Sequence, residues 1–279
     1  MSTPALAPCA TAAPPPAPRE HLDLIPGLLR GRGVEIGAFR TPLPGIAPVY
    51  LDRFAEYAGE PTRADYYGDA CAIPFGDSSL DYVASSHVLE HVANPLAALR
   101  EWYRVLRHQG IIYAVIPHRR KTFDHPRPLT PIAHLIQDYQ RRTTQVDATH
   151  IDEFVYGIDW SLFSPATPPE EVPAAQTALI TGYRQAIRQG TEINIHFHTF
   201  EPASVASLFA CTAELGLPPD SLQVIALHEA FPASNPNGIL VVARIHKPIG
   251  KRIRAAFKPQ GLSPTARRMA SATSAHPHA

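Results

Sequence analysis

The sequence predicts an α/β protein built on a doubly wound, mostly parallel sheet. Three observations predict it. Residues 68–117 read loop, strand, helix, strand, which is one βαβ unit with an expected right-handed crossover. Two short runs precede it, GRGVEIG (31–37) and VYLDR (49–53), each apolar at its centre and ending in glycine or beside an acid. Two more apolar runs, LQVIAL (222–227) and GILVVARI (238–245), follow near the far end.

Taken in order, residues 1–18 are mostly Ala, Pro and Thr without charge or periodicity, and predict a disordered arm. A short helix over 21–29 should break at Pro26-Gly27. The first two strands come next. GDACAIPFGDSS (68–79) is a loop, and LDYVASS (80–86) is a buried strand. The spacing then predicts a helix over 94–107. Asn94 is its N-cap and Pro95 takes the first helical position, where a missing N–H costs nothing. Leu96, Leu99, Tyr103 and Leu106 form its apolar face, and Gly110 should stop it. IIYAVIP (111–117) suits a central parallel strand.

A long insert follows over 118–198, opening with the polar run HRRKTFDHPRPLT. It leaves the carboxyl end of a central strand, the edge at which such sheets bind ligands. It therefore reads as a cap over a substrate. Inside it, Thr130-Pro131 should start a helix with Ile132, Leu135, Ile136 and Tyr139 on one face, and a second helix over 174–189 should end at Gly190. EINIHFHTF (192–200) alternates and predicts a strand, with His196 and His198 facing the same way. A helix over 202–215 should stop at Gly216.

Composition sets further bounds. The chain is 45% hydrophobic, enough for a sizeable core. Its three cysteines show no paired spacing, so no disulfide framework or cysteine zinc site is implied and a reducing compartment is expected. No run approaches the ~20 apolar residues of a membrane span, and the start shows no secretory pattern. A cytoplasmic location follows as the expectation. Net charge is zero, but seven Lys or Arg and no acid fall within 247–268, which leaves the body acidic. That basic tail (247–279) lacks interleaved aromatics beyond Phe257 and reads as a disordered, solvated end rather than a nucleic-acid binder.

Three stretches in fixed order carry a resemblance: Asp-Ala-x-x-Ile-Pro-Phe-x-Asp-x-Ser-Leu-Asp-Tyr-Val from Asp69, then Ser-Ser-His-Val-Leu-Glu-His, then Arg-Val-Leu-x-x-x-Gly. This pattern resembles the class I S-adenosylmethionine-dependent methyltransferases, in the branch usually called type 11. The resemblance is continuous over 69–117 and weaker over 33–68. It implies seven strands in the order 3-2-1-4-5-7-6 with a final antiparallel hairpin, a methyltransferase domain over 19–246, and S-adenosylmethionine as cofactor. It also implies cofactor contacts at Glu35 and Gly37 after the first strand, at Asp52 for the ribose hydroxyls, at Asp69 and Ala70 for the adenine edge, and at Ser86 and His87 after the fourth strand. One departure stands out. The family loop usually continues with further glycines, whereas this one continues Ala38-Phe39-Arg40-Thr41-Pro42. Phe39 must turn away or cover the cofactor, and Arg40 could pair with a carboxylate.

Methyl transfer from a sulfonium needs an aligned nucleophile and exclusion of water. A hydroxyl acceptor also needs a base, for which histidine is suited near neutral pH. Fourteen histidines are present, and His118, His196 and His198 are the candidates at predicted strand ends. His91 reads as packing. Arg119, Arg120 and Lys121 read either as an anion site or as a solvated loop. His150, Asp152, Glu153, His196 and His198 could in principle ligate a metal, but read as a hydrogen-bonded cluster, so no metal is expected. The expected activity is methyl transfer, at oxygen, to a small molecule or glycan precursor, with neither membrane nor nucleic acid as partner. A cofactor-binding domain serving a partner enzyme is the alternative. A nicotinamide oxidoreductase is weaker, because its glycine fingerprint is absent.

Overall fold

The structure, a computed structural model, describes residues 19–248 apart from 58, 146 and 147. The arm over 1–18 and the tail from 249 onward lie outside the described residues. Seven strands form the main sheet: β1 (Gly33–Ile36), β2 (Val49–Asp52), β3 (Tyr66–Tyr67), β4 (Leu80–Ser86), β5 (Leu106–Pro117), β6 (Leu222–Phe231) and β7 (Gly238–Ile245). Their spatial order is β3-β2-β1-β4-β5-β7-β6. This is the 3-2-1-4-5-7-6 order expected. β7 runs antiparallel to both its neighbours, and the remaining pairs are parallel. Ile36 registers with Leu51 on one side and Ser85 on the other, and Ser86 registers with Val115. Gly37, Asp52, His87 and His118 therefore leave the sheet from one edge.

Seven helices are described: α1 (His21–Leu28), α2 (Pro95–Val105), α3 (Ile132–Arg141), α4 (Ala148–Gly157), α5 (Trp160–Phe163), α6 (Val172–Arg188) and α7 (Pro202–Ala210). α2 and α7 cover one sheet face, where Leu96, Leu99, Trp102, Leu208 and Phe209 pack with Val83, Ile112 and Val241. Leu96 is fully buried, and shortening such a side chain to Ala costs about 2–5 kcal/mol. α1 covers the other face through Ile25, against Tyr82, Tyr113 and Leu240. The β1–β2 and β2–β3 crossovers contain no helix among the described residues; a two-stranded ribbon (Glu56–Tyr57 with Glu60–Pro61) fills the second.

Asn94 caps α2 as expected, its Oδ1 accepting from Ala97 N–H at 3.0 Å. Four expectations need correction. α2 ends at Val105 and β5 starts at once, so Gly110 lies inside the strand; the left-handed turn falls on Gln109 (φ 64°). Gly110 serves a close approach instead, since a Cβ there would lie 2.9 Å from Arg107 O. α1 runs through Pro26 to Leu28 rather than breaking there. α7 ends at Ala210, and turns carry the chain on to Gly216. The segment 192–200 is not a strand. It crosses the strand ends, with Phe197 N–H donating to Glu90 O at 2.8 Å, and touches the sheet by a single bridge between His118 and Phe200. Its apolar and polar residues alike are buried from Ile195 to Phe200, so the alternation marks neither a ladder nor an exposed face.

The insert carries α3 to α6 and has its own apolar core. Ile151, Phe154 and Val155 of α4 pack with Leu179, Ile180 and Tyr183 of α6 and with Phe197. It sits on the edge from which the functional residues emerge.

Candidate active site at the carboxyl edge of the sheet

Glu35 ends its strand turned inward, 1% exposed. Its Oε1 accepts from Leu43 N–H at 2.8 Å, which pins the loop after β1. Burial pushes its carboxyl up to about 7, against the pull of that N–H. Gly37 has φ 68°, and a Cβ there would lie 2.6 Å from Val88 Cγ2. Only glycine allows this turn and this approach. Asp52 is buried and accepts from Phe54 N–H at 3.0 Å; burial raises its carboxyl above the usual range. Phe39 takes a left-handed φ of 44°, and Arg40 pairs with Glu60 at 3.7 Å, so the departing loop folds outward onto the ribbon.

Asp69 holds two partners. Its Oδ1 accepts from Cys71 N–H at 2.7 Å and its Oδ2 from Arg53 Nη1 at 2.6 Å. Ala70 O accepts from Trp102 Nε1 at 3.1 Å, so the loop is tied to α2. Arg53 also pairs with Glu192 of the insert. A cavity of about 250 Å³ opens beside it, lined by Arg53, Asp69, Cys71, Asn94, Tyr139 and Arg142. The open space thus lies next to the predicted adenine loop.

At the end of β4, Ser86 is half-buried, and the next residue, His87, adopts φ 55°, its N–H donating to Val115 O at 2.8 Å. Burial, aided by nearby His196, lowers the His87 imidazole to about 4. Glu90, unremarked in the sequence beyond its place in the motif, is fully buried. His87 and His91 approach its Oε1 at 3.7 and 3.6 Å, neither as a hydrogen bond. Burial drives Glu90 well above, and His91 well below, their ordinary values. His91 Nδ1 lies 3.1 Å from Ile195 O.

The three candidate bases separate. His196 is buried, with Nδ1 2.6 Å from Asp124 Oδ2. Its ring meets His91 edge to face at 4.7 Å and lies over Phe123 at 4.6 Å. Asp124 opposes its burial with hydrogen bonds from His196 and the fully buried Arg127, and its carboxyl is held below the usual range. His118 lies elsewhere along the edge, its Nδ1 accepting from Arg120 N–H at 3.2 Å. Arg119 and Arg120 share the single Glu201 carboxylate, which balances one of their two charges. His198 is fully buried beside His134 and His150. His196 and His198 therefore do not share a cluster. The five-residue group considered in the sequence also divides: Asp152 pairs with Arg184, and Glu153 with Arg127.

Residues 47–114 match the family model described as a methyltransferase domain. That segment runs from β2 into β5 and contains most of the edge just described. With the sheet order, the match supports an S-adenosylmethionine-dependent methyltransferase domain of class I in this chain. The matching model is of the type 11 branch, and such a domain implies S-adenosylmethionine as cofactor. No curated protein matches the chain. Solved structures it is similar to include an S-adenosylmethionine-dependent methyltransferase of Thermotoga maritima, at 16% identity, covering 81% of this chain and 88% of that one, with TM-score 0.42. Another, from Methanosarcina mazei, has 14% identity, coverage of 77% and 92%, and TM-score 0.40. A third, from Mesorhizobium loti, has 14% identity, coverage of 76% and 90%, and TM-score 0.39.

The residues present fit the cofactor. Gly37 gives the turn after β1 its left-handed backbone beside Val88, and Glu35 Oε2 and Ser85 Oγ are buried without hydrogen-bond partners among the described residues. Such atoms at a ligand-binding edge await a polar ligand. No helix among the described residues is long and apolar enough to cross a membrane.

Proposed function

We propose that the methyl acceptor is a hydroxyl of a small molecule or glycan precursor in the cytoplasm, rather than a nucleic acid, and that His196 is the base. The Asp124–His196 pair carries this reading. A buried carboxylate on Nδ1 fixes the imidazole tautomer and supports the charge that forms when Nε2 takes a proton. When bound, the cofactor supplies a methyl group already activated by its sulfonium. What remains for the chain is to align the acceptor, exclude water and remove the hydroxyl proton. The insert supports the first two tasks, since it covers His196 to 8% exposure and favours an enclosed acceptor. Asp52, Asp69 and the backbone at Gly37 are the groups proposed to hold the cofactor, with Ser86 and His87 beside the methyl end. Glu35 supports this set by fixing the loop, and Ala70 by its tie to α2.

The test incubates the protein with S-adenosylmethionine bearing an isotopically labelled methyl group, together with separate pools of nucleotide sugars, hydroxylated small molecules, RNA and protein. Label should enter a small-molecule methyl ether and vanish with His196→Asn. Label on RNA, on protein or on nitrogen would sink the acceptor assignment.

A further inference from the structure

A second polar cluster lies beneath the insert, apart from the proposed base. His134 and Asp138 stand one turn apart on α3, and His198 arrives from the segment crossing the strand ends. One ligand atom from each lies within 4.8 Å of the others. His150 of α4 stands beside the group, its ring packed against those of His134 and His198. The ring centroids are 5.2 Å (His134–His150), 5.5 Å (His150–His198) and 5.6 Å (His134–His198) apart.

These spacings have a specific meaning. Imidazoles sharing a tetrahedral zinc at about 2.0–2.1 Å per bond place their ring centroids about 5 Å apart, and a carboxylate oxygen in the same shell lies about 3.3 Å from each nitrogen. His134 Nε2 and Asp138 Oδ2 are 3.2 Å apart, yet not aligned as a hydrogen bond. Two atoms aimed at a common third point show this geometry. His198 Nδ1 is buried with no hydrogen-bond partner among the described residues. An imidazole buried with a bare nitrogen is costly unless that lone pair is used.

The outer contacts agree. His198 Nε2 faces Ala93 O at 3.4 Å, which puts the proton on Nε2 and leaves Nδ1 as the donor atom. Thr143 Oγ1 donates to Asp138 Oδ1 at 3.2 Å, which leaves Oδ2 for the centre. Nitrogen with one carboxylate oxygen is a donor set for zinc and its neighbours, not for calcium or magnesium.

We propose that His134, Asp138, His150 and His198 bind one zinc-class divalent ion that ties α3, α4 and the segment before α7 together. With His150 drawn in as the fourth ligand beside the other three the tetrahedral shell is filled, so the proposed role is structural. The ion would lock the insert over the sheet edge. This replaces the expectation of no metal, and does not depend on the acceptor or on His196.

The neighbouring Glu90–His91–His196 group also has metal-like spacing, so the test must separate the two. The full chain, purified on a histidine-free tag from zinc-supplemented medium, should carry about one zinc by mass spectrometry of the metal. Stripping with a chelator should lower the melting temperature, zinc should restore it, and cobalt should give the intense visible bands of a tetrahedral site. Asp138→Ala and His198→Ala should lose the ion, while His91→Ala keeps it. The proposal fails if the unaltered protein holds no stoichiometric ion and neither zinc nor cobalt moves its melting temperature. It fails equally if the ion survives His198→Ala and leaves with His91→Ala. Because the chelator and cobalt experiments use the unaltered chain, misfolding of a variant does not decide the outcome.

Discussion

Asp124 Oδ2 and His196 Nδ1 lie 2.6 Å apart although the two residues are 72 positions apart in the chain. Arg127, fully buried, holds the other oxygen of Asp124 at 2.7 Å. The pair is thus oriented from both ends. His196→Asn should lower kcat by about 10²–10⁴, the usual contribution of a positioned base. Cofactor affinity by calorimetry should stay near that of the unaltered protein. Full turnover in a folded His196→Asn protein would remove His196 as the base.

Cofactor binding has its own test. Asp52→Ala removes a charged acceptor, and each lost hydrogen bond to a charged group is worth about 1.5–3 kcal/mol. Affinity should fall accordingly with little change in the fold. Gly37→Ala should also weaken binding, because its Cβ would meet Val88 Cγ2 at 2.6 Å on a turn with φ 68°. Titration calorimetry on both variants reads the effect. Native affinity in either would place the cofactor elsewhere.

The fold was legible because β4, α2 and β5 each carry local signals: a charge-poor run, a cap with proline behind it, and a β-branched run. The motif residues at the edge were legible for the same reason, since strand ends place them. The base was harder to single out. Three histidines looked equivalent in the sequence, and only tertiary packing gives His196 a buried carboxylate. Asp124 sat unmarked in the polar run after β5. The segment 192–200 alternates as a strand would, yet every residue from Ile195 to Phe200 is buried and the backbone pairs with the sheet only at Phe200. His134 and Asp138 carried a faint signal, one helical turn apart on α3. No spacing could have joined them to His198, because that meeting depends on how the insert folds back.

Arg53 joins Asp69 of the predicted adenine loop to Glu192 of the insert. Arg53 and Glu192 keep 35% and 38% of their side-chain surface exposed, so the pair adds at most about 1 kcal/mol to stability. Its effect should appear in kinetics instead. Glu192→Gln should leave the melting temperature within a few degrees but speed cofactor dissociation several-fold in stopped flow, because the insert loses a tie beside the cavity. An unchanged dissociation rate would make this contact a surface pair only.

The last prediction concerns pH. Glu35 has its carboxyl raised from the ordinary 4.5 to about 7, chiefly by burial. The folded protein therefore holds a proton between those values that the unfolded chain has released. Stability from this group is present below about pH 4.5 and is lost as pH rises towards about 7. The whole effect is at most about 3 kcal/mol. Glu35→Gln cannot ionise, yet its side-chain oxygen can still accept from Leu43 N–H. Its new amide N–H₂ lacks an evident acceptor and will cost some stability at every pH. The diagnostic is therefore the slope and not the level. Denaturant midpoints of the unaltered protein should fall more steeply between pH 5 and about 7 than those of Glu35→Gln, with the two curves parallel above that range. Parallel curves across the whole range would show that Glu35 ionises normally and is not sealed beneath the loop it holds.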